Sequence, residues 1–216
     1  MSANLVPGTV LPDFELPDQD GVRRRLSELQ GEDPMILMLG RGEHCPRERQ
    51  HHRELLNFHE WCALLESELV TIVPNDLHET LKLKMTTGAH WTFLADVDLE
   101  VRSKLGIEEY VDDHHTASVP HTVLLGPELE IFKVYCGFWF FGRPSVYDLW
   151  SDLRDLRRKF DYNFDPLAPG VREEWERRHP DRAHGIPTAM KPHGAAKRAR
   201  PAPKRSRATR SGAARP

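Results

Sequence analysis

The chain has 216 residues, of which 39% are hydrophobic, and a formal net charge of −3 at pH 7. This length and composition allow one sizeable core, and no apolar run is long enough to cross a bilayer. Residues 1–7 lack a basic stretch followed by an apolar one, so we predict no secretory signal peptide. The three cysteines are widely spaced and do not resemble a disulfide framework, which favours a reducing cytoplasmic environment.

The charge is unevenly distributed along the chain. Residues 191–216 carry nine Lys or Arg and no acidic residue, which leaves about −12 for residues 1–190. The same segment contains no Leu, Ile, Val, Phe, Tyr or Trp, so it cannot bury a core. We therefore predict a folded domain over 1–165, an extension over 166–190 and a disordered basic tail over 191–216. The tail either binds nucleic acid or an acidic partner weakly and without sequence preference, or only keeps the chain soluble.

Strands and helices are predicted to alternate along most of the remaining chain. Two short extended segments flank a turn at 18–21, and Ser27 is a candidate N-cap for one helical turn. Apolar runs and helical spacing then predict strands at 34–39, 69–74, 91–95, 119–125 and 129–136, and helices at 46–66, 78–86, 99–105 and 145–160. This order is typical of an α/β fold with a mixed central sheet flanked by helices, here preceded by an N-terminal hairpin.

Cys45 carries the clearest chemical signal in the sequence. It follows the predicted strand at 34–39 after a short polar turn, and Pro46 opens the next helix. Proline is common at the first helical position, and a cysteine at a helix N-terminus is favoured as the thiolate by the helix dipole and the free backbone N–H groups. The thiolate is the nucleophile, so we predict redox chemistry at Cys45. The alternative is an inert small residue at a helix start.

Four segments together resemble the alkyl hydroperoxide reductase/thiol-specific antioxidant group, the peroxiredoxin-like branch of the thioredoxin superfamily. They are residues 7–29, the motif Arg41-Gly42-Glu43-His44-Cys45-Pro46, residues 93–107 and residues 118–125. The resemblance covers about residues 5–160 and implies a thioredoxin-like fold. It also implies thiol-dependent reduction of a hydroperoxide through one active-site cysteine, with an external thiol as reductant. It further implies a cis peptide bond between Val119 and Pro120, lying against the Cys45 loop.

The sequence departs from the usual pattern of this group at three places. Typical members carry a proline and a Thr or Ser ahead of the reactive cysteine, and here Met38 and Gly42 stand at those places. Typical members also have an arginine near the start of the penultimate strand, and the matching position here is Pro120. The resemblance therefore supports thiol chemistry, while peroxidase activity is left as one of two hypotheses. The other is a catalytically weak binding or regulatory protein with a thioredoxin fold.

The candidate site contains two groups of residues. The predicted catalytic residues are Cys45, Arg41 and Pro120. The candidate supports for the thiolate are His44, Arg47 and Arg143. A cationic side chain beside a thiolate stabilises its charge, although each of these side chains taken alone is also typical of an exposed surface. A homodimer is also possible, but the sequence does not identify its interface.

No second cysteine forms a CxxC motif, because Glu48 occupies that position. Cys62 is about 25 Å from Cys45 along the predicted helix, too far for a disulfide, and Cys136 ends a strand. We expect both to be packed in the core. A metal site at Cys45, Glu48 and His52, on one helix face, is the competing interpretation. The paired ligand spacing of zinc sites is absent, so we predict no metal and no cofactor.

Overall fold

The computed structural model describes residues 4–111, 113–138, 142–161, 163–165 and 168–178. The chain divides into two units, Met1–Ile186 and Pro187–Pro216, and all described residues belong to the first. The predicted tail at 191–216, and the predicted extension beyond residue 178, lie outside the described residues. Within the described part of the chain, no helix is both long enough and apolar enough to span a membrane.

The elements follow the predicted order, with additions described below. The strands are β1 (Glu15–Pro17), β2 (Arg23–Arg25), β3 (Met35–Leu39), β4 (Glu68–Val73), β5 (Thr92–Ala95), β6 (Glu108–Val111), β7 (Thr116–Ser118), β8 (His121–Leu125) and β9 (Ile131–Cys136). The helices are α1 (Leu26–Gln30), α2 (Pro46–Glu54), α3 (Leu56–Leu64), α4 (Leu77–Thr87), α5 (Glu100–Leu105), α6 (Val146–Phe160) and α7 (Val171–Arg178).

A mixed five-stranded sheet forms the centre of the domain, in the order β5-β4-β3-β8-β9. β4 is parallel to both β3 and β5, whereas β8 is antiparallel to both β3 and β9. β3, β4 and β8 are buried along their whole length. A strand covered on both faces needs apolar side chains on both, which explains the continuous apolar run of β3. The predicted α/β fold with a mixed central sheet is confirmed.

The two faces of the sheet contribute to two separate cores. Successive side chains of a strand point to opposite faces. Leu37 and Leu39 therefore join a core built with the N-terminal segment and α5. Ile36 and Met38 join the other core, built mainly with α3 and α6. The loop that contains Cys45 begins at the C-terminal end of β3, the central strand of this sheet.

The predicted N-terminal hairpin is present as the antiparallel pair β1 and β2, but its helix cap is not the expected one. α1 has Arg25 at its N-cap position, so the prediction of Ser27 as N-cap is wrong. Ser27 is the second helical residue, and its backbone N–H and Oγ donate to Asp13 at 3.0 and 2.8 Å. A carboxylate distant in sequence thus binds the hydroxyl that local reasoning assigned to a cap.

The single helix predicted over 46–66 is also wrong, because α2 and α3 are separate helices that meet at Leu55. The Leu55 side chain is completely buried, and its backbone φ and ψ are −82° and −7°. Leu55, Phe58 and Cys62 all face the same core. The apolar spacing therefore continues across the break, which is why the sequence pattern does not reveal it.

β6 and β7 form a hairpin outside the central sheet, where the sequence predicts no strand. The strand expected over 119–125 begins only at His121. No cis peptide bond occurs among the described residues, so the cis bond expected between Val119 and Pro120 is wrong. The Val119 N–H donates to Ile107 O at 2.7 Å, and Pro120 O accepts from the Gly137 N–H at 2.7 Å. These bonds hold extended backbone on both sides of a peptide whose trans form is intrinsically favoured.

Candidate active site

Cys45 is the N-cap residue of α2, as predicted, with φ −80° and ψ 115°. Its carbonyl oxygen accepts the first helical hydrogen bonds, from Glu48 N–H at 3.1 Å and Arg49 N–H at 3.3 Å. Pro46 is the first helical residue and needs no hydrogen-bond partner for its nitrogen. The sulfur thus lies at the positive end of a helix of nine residues. The Cys45 side chain is nevertheless only 1% exposed.

Arg41 directs its guanidinium at the Cys45 sulfur. Nη1 of Arg41 lies 3.8 Å from Cys45 Sγ, within hydrogen-bond distance for sulfur. The other edge of the guanidinium pairs with Glu109 of β6, through Nε to Oε2 at 2.7 Å and Nη2 to Oε1 at 2.8 Å. The pKa of Arg41 is raised, chiefly by its hydrogen bonds to Glu109, with burial opposing the shift and Cys45 adding to it. A permanently charged donor therefore faces the sulfur.

Glu48 binds the backbone of Arg41 through its carboxylate. Its Oε2 accepts the Arg41 backbone N–H at 3.1 Å and also pairs with Nη2 of Arg143. Burial alone would raise the pKa of Glu48, but the charge of Arg143 and the hydrogen bonds from Arg143 and the Arg41 N–H outweigh burial and hold it at about 2. The fit is tight, since a Cβ at Gly40 would lie 2.8 Å from Glu48 Oε1 and 2.8 Å from Val73 Cγ1. A buried, ionised carboxylate therefore fixes the backbone that carries Arg41.

His52 is held neutral within a chain of hydrogen bonds behind this carboxylate. Its Nδ1 lies 2.7 Å from Glu48 O, and because a carbonyl only accepts, Nδ1 carries the proton. Nε2 therefore accepts from Thr71 Oγ1 at 3.2 Å, and the Trp91 indole N–H donates to that same oxygen at 2.9 Å. Burial lowers the pKa of His52, and it lowers that of neighbouring His51 to about 3. The two histidines add no positive charge to the site at neutral pH.

Gly42 has a backbone conformation that favours glycine. It occupies the position where typical members of the peroxiredoxin-like group carry Thr or Ser. Its φ is +125°, in the region that residues with a Cβ rarely adopt. A Cβ there would also lie 3.2 Å from His44 Nδ1 and 3.3 Å from Asn75 Oδ1. Asn75 Oδ1 accepts the Glu43 N–H at 2.8 Å and so anchors this turn to the loop after β4. The conformation of this loop therefore favours glycine at position 42.

The three candidate supports for the thiolate, Arg143, Arg47 and His44, have different partners in the structure. Arg143 pairs with Glu48 and so acts on the site through that carboxylate. Arg47 is exposed and donates to Gln50 Oε1 at 3.1 Å, along the helix. His44 is half-buried, and its ring centroid is 4.3 Å from that of His115.

Pro120 is buried and lies between β7 and β8. It has no N–H to donate, and its carbonyl is bonded to Gly137. Its contribution at this position would therefore be one of shape rather than charge. Sequence reasoning did not find Glu109, and neither spacing nor motif marks it. From the sequence, Glu48 has a role only in the competing metal site. Its position one helical turn after Cys45 is the signal that could have marked it as a neighbour of the sulfur.

The other two cysteines are differently placed from each other. Cys62 is 1% exposed, and burial raises the pKa of its thiol to about 12. Its expected packing in the core is confirmed. Cys136 is exposed, so the same expectation is wrong for it, because it ends the edge strand β9. Its Sγ lies 3.4 Å from Gly137 O.

A polar cleft of about 220 Å³ borders the Cys45 loop. Its lining includes His44, Asn75, Asp76, Glu79, His114 and His115. No group of three or more His, Cys, Asp or Glu in the described ranges is arranged to hold a metal ion. The competing set of Cys45, Glu48 and His52 is engaged otherwise, because the carboxylate binds two arginines and both imidazole nitrogens have partners.

Solved structures with the same fold come from several organisms. Peroxidoxin BcpB from Mycobacterium tuberculosis is 20% identical, with a TM-score of 0.60 over 70% of this chain and 96% of that one. AhpC from Enterococcus faecalis is 16% identical, with a TM-score of 0.61 over 77% and 99%. A mutant of peroxiredoxin 6 from Arenicola marina is 14% identical, with a TM-score of 0.63 over 80% and 88%. At these identities the likeness concerns the fold, which is that of thioredoxin-like peroxiredoxin structures.

The family is shown by a match to a family model, although a comparison with curated protein sequences finds no match. Residues 7–134, more than half of the chain, match the model of the AhpC/TSA family. That range includes β3, the Cys45 loop, α2 and all the strands of the central sheet except the last two residues of β9. Because this match covers more than half of the chain, the chain belongs to the AhpC/TSA family.

Proposed function

We propose that the protein is a thiol-dependent peroxidase in which Cys45 attacks the hydroperoxide. The observation that carries this proposal is the 3.8 Å contact between Arg41 Nη1 and the sulfur of a cysteine at a helix N-terminus. A cationic donor and a helix dipole both favour a thiolate over a thiol. The Cys45 thiolate attacks the distal oxygen of ROOH, the O–O bond breaks, and RO⁻ leaves and takes up a proton to become ROH. Cys45 is left as a sulfenic acid.

Arg41 has two roles in this step. It stabilises the sulfur anion before attack, and its positive charge can stabilise the negative charge that develops on the leaving oxygen. Because Cys45 is only 1% exposed, the oxidant must reach a nearly buried sulfur. Hydrogen peroxide and other small hydroperoxides meet this requirement with the least movement of the surrounding chain.

Regeneration of Cys45 is proposed to use an outside thiol. One thiol attacks the sulfenic acid to give a mixed disulfide and water, and a second releases Cys45 as a thiol together with the external disulfide. Cys62 is a poor resolving partner because its pKa of about 12 leaves almost no thiolate. The cleft beside His44 offers a reductant an approach to the loop. A supply of reduced thiols fits the cytoplasm, and this mechanism would operate equally in a monomer or a homodimer.

Sulfenate trapping tests the assignment of Cys45. The protein is exposed to hydrogen peroxide with a sulfenate-specific reagent, and the labelled peptides are identified by mass spectrometry. We expect Cys45 to be labelled well before Cys136, although Cys136 is the exposed thiol. A Cys45→Ser variant should lose peroxide consumption, and a Cys136→Ser variant should retain it. Equal labelling of both cysteines, or turnover by the Cys45→Ser variant, would instead favour a thioredoxin-fold binding or regulatory protein.

We also propose that the basic segment at 191–216 binds nucleic acid or an acidic partner weakly. Its nine positive charges and its lack of large apolar side chains support weak binding to nucleic acid or to an acidic partner. Such binding would neutralise phosphates or carboxylates without reading a base sequence. It would therefore be independent of the chemistry at Cys45.

A further inference from the structure

We propose that Glu109 is a positioning residue for the reaction at Cys45, acting by holding the Arg41 guanidinium in the orientation that faces the sulfur. This inference rests on the proposed peroxidase function but concerns a residue on a different element. Glu109 lies on β6, 68 residues along the chain from Arg41. It does not belong to the Cys45 loop or to the central sheet.

The geometry of the pair fixes the direction of the third guanidinium nitrogen. Both carboxylate oxygens of Glu109 are used, at 2.7 Å to Nε and 2.8 Å to Nη2. The guanidinium is planar and rigid, so fixing one edge also fixes where Nη1 points. Nη1 is the nitrogen that lies 3.8 Å from Cys45 Sγ. A single hydrogen bond in place of two would leave the group free to rotate about that bond.

Arg41 is held at both ends by carboxylates from different parts of the fold. Glu48 accepts its backbone N–H, and Glu109 pairs with its side chain. The two paired side chains are almost buried, at 6% exposure for Arg41 and 13% for Glu109. A guanidinium so deeply placed is costly to leave without a counter-charge. Removing Glu109 takes away the two hydrogen bonds that orient the guanidinium, so Nη1 should turn away from the sulfur.

Two opposite effects follow from removing the Glu109 charge, and they make the proposal testable by sign. If Glu109 only weakened the field of Arg41, its removal would strengthen that field and increase the fraction of Cys45 that is thiolate. If Glu109 positions Arg41, its removal turns Nη1 away, and the thiolate fraction falls. The contact of Arg41 with sulfur is direct, whereas Glu109 binds the opposite edge of the guanidinium. Since Coulomb energy falls with distance, loss of the closer charge should dominate.

The experiment compares Glu109→Gln with Glu108→Gln, a matched substitution of the exposed neighbour on the same strand. Thiolate is measured by ultraviolet absorbance at neutral pH, with the Cys45→Ser variant subtracted. Turnover is measured with hydrogen peroxide and an added small thiol. For Glu109→Gln we expect a smaller thiolate fraction and a loss in kcat/KM of roughly 10-fold to 100-fold, the scale of a misplaced catalytic group. Glu108→Gln should leave both values within about 2-fold, as expected for a surface change.

Two further variants separate positioning from a general effect on the fold. Glu109→Asp keeps the charge but is one methylene shorter, so it should recover part of the thiolate fraction that Glu109→Gln loses. In an Arg41→Lys background, which cannot form the two-pronged pair, Glu109→Gln should cause a much smaller further loss. If Glu109→Gln does not fold, the same comparisons are made with Glu109→Asp.

Several outcomes would overturn the role of Glu109. They are an unchanged or larger thiolate fraction in the folded Glu109 variants, an equal loss in Glu108→Gln, and a full additional loss in the Arg41→Lys background. Failure of the proposed function looks different. In that case the unaltered protein itself consumes no peroxide, while the thiolate absorbance still reports whether Glu109 orients Arg41.

Discussion

Substitution of Glu48 by Gln should destabilise the protein strongly at neutral pH and much less in acid. The change keeps the shape of the side chain but removes the charge that pairs with Arg143 and accepts the Arg41 N–H. The pKa of Glu48 lies at about 2 in the folded protein, against an ordinary value of 4.5. That difference corresponds to about 3 kcal/mol of folding free energy at neutral pH. It agrees in size with the roughly 3–5 kcal/mol that breaking a buried ion pair costs.

The pH dependence follows from the direction of the shift. Because the folded-state pKa of Glu48 is lowered, its stabilising contribution is complete above the unfolded value of 4.5 and disappears as the pH falls through about 2. At about pH 3 we expect roughly half of the neutral-pH difference between the two proteins to remain. Below about pH 2, both proteins carry a largely uncharged group at this position, and the difference should become small.

Urea unfolding, followed by circular dichroism at neutral pH and at about pH 3, measures both differences. Glu54→Gln is the matched control, since Glu54 ends the same helix and is exposed. It should change the free energy of unfolding by less than about 0.5 kcal/mol at either pH. A loss for Glu48→Gln below about 1 kcal/mol at neutral pH, or an equal loss at both pH values, would refute the assignment of Glu48 as a buried carboxylate stabilised by Arg143.

Two further predictions concern the other parts of the chain. Cys62→Ser should leave turnover with an added small thiol within about 2-fold, because a buried thiol with a pKa of about 12 cannot resolve the sulfenate. Non-reducing electrophoresis of the oxidised protein should show no disulfide bond between Cys45 and Cys62. Loss of turnover in a folded Cys62→Ser variant would mean that the one-cysteine mechanism is wrong. Deletion of residues 191–216 should remove any salt-sensitive binding to nucleic acid while Cys45 reactivity and thermal stability hardly change; a fall in reactivity would show that the tail takes part in the chemistry.

Much of the fold could be predicted from the sequence because its signals are local. The apolar runs of β3 and β4 reflect strands that are covered on both faces, and such runs are visible in the sequence. The spacing of α6 and its Ser145 cap likewise depend only on neighbouring residues. One error arose where a distant group replaced the local partner. Asp13 binds the Ser27 hydroxyl that was expected to cap a helix.

The sequence by itself determined where Cys45 lies in the fold. A cysteine that follows a buried strand and precedes a proline is typical of a helix start, because proline has no N–H and fits the first helical position. That logic needs only a few adjacent residues, and the structure has Cys45 at the N-cap of α2. It also made Arg41 a candidate, since Arg41 lies only four positions before Cys45.

Only the tertiary structure decided what surrounds that sulfur. Glu109 and Arg143 are brought to the Cys45 loop from 68 and 95 residues away from their partners Arg41 and Glu48. The same spacing that made Glu48 resemble a metal ligand instead supplies a counter-charge, because Arg143 reaches it through the fold. Side-chain charges interact through space, and their strength is set by distance and burial rather than by separation along the chain. The position of Cys45 at a helix start could therefore be predicted from neighbouring residues, whereas its electrostatic environment required the folded chain.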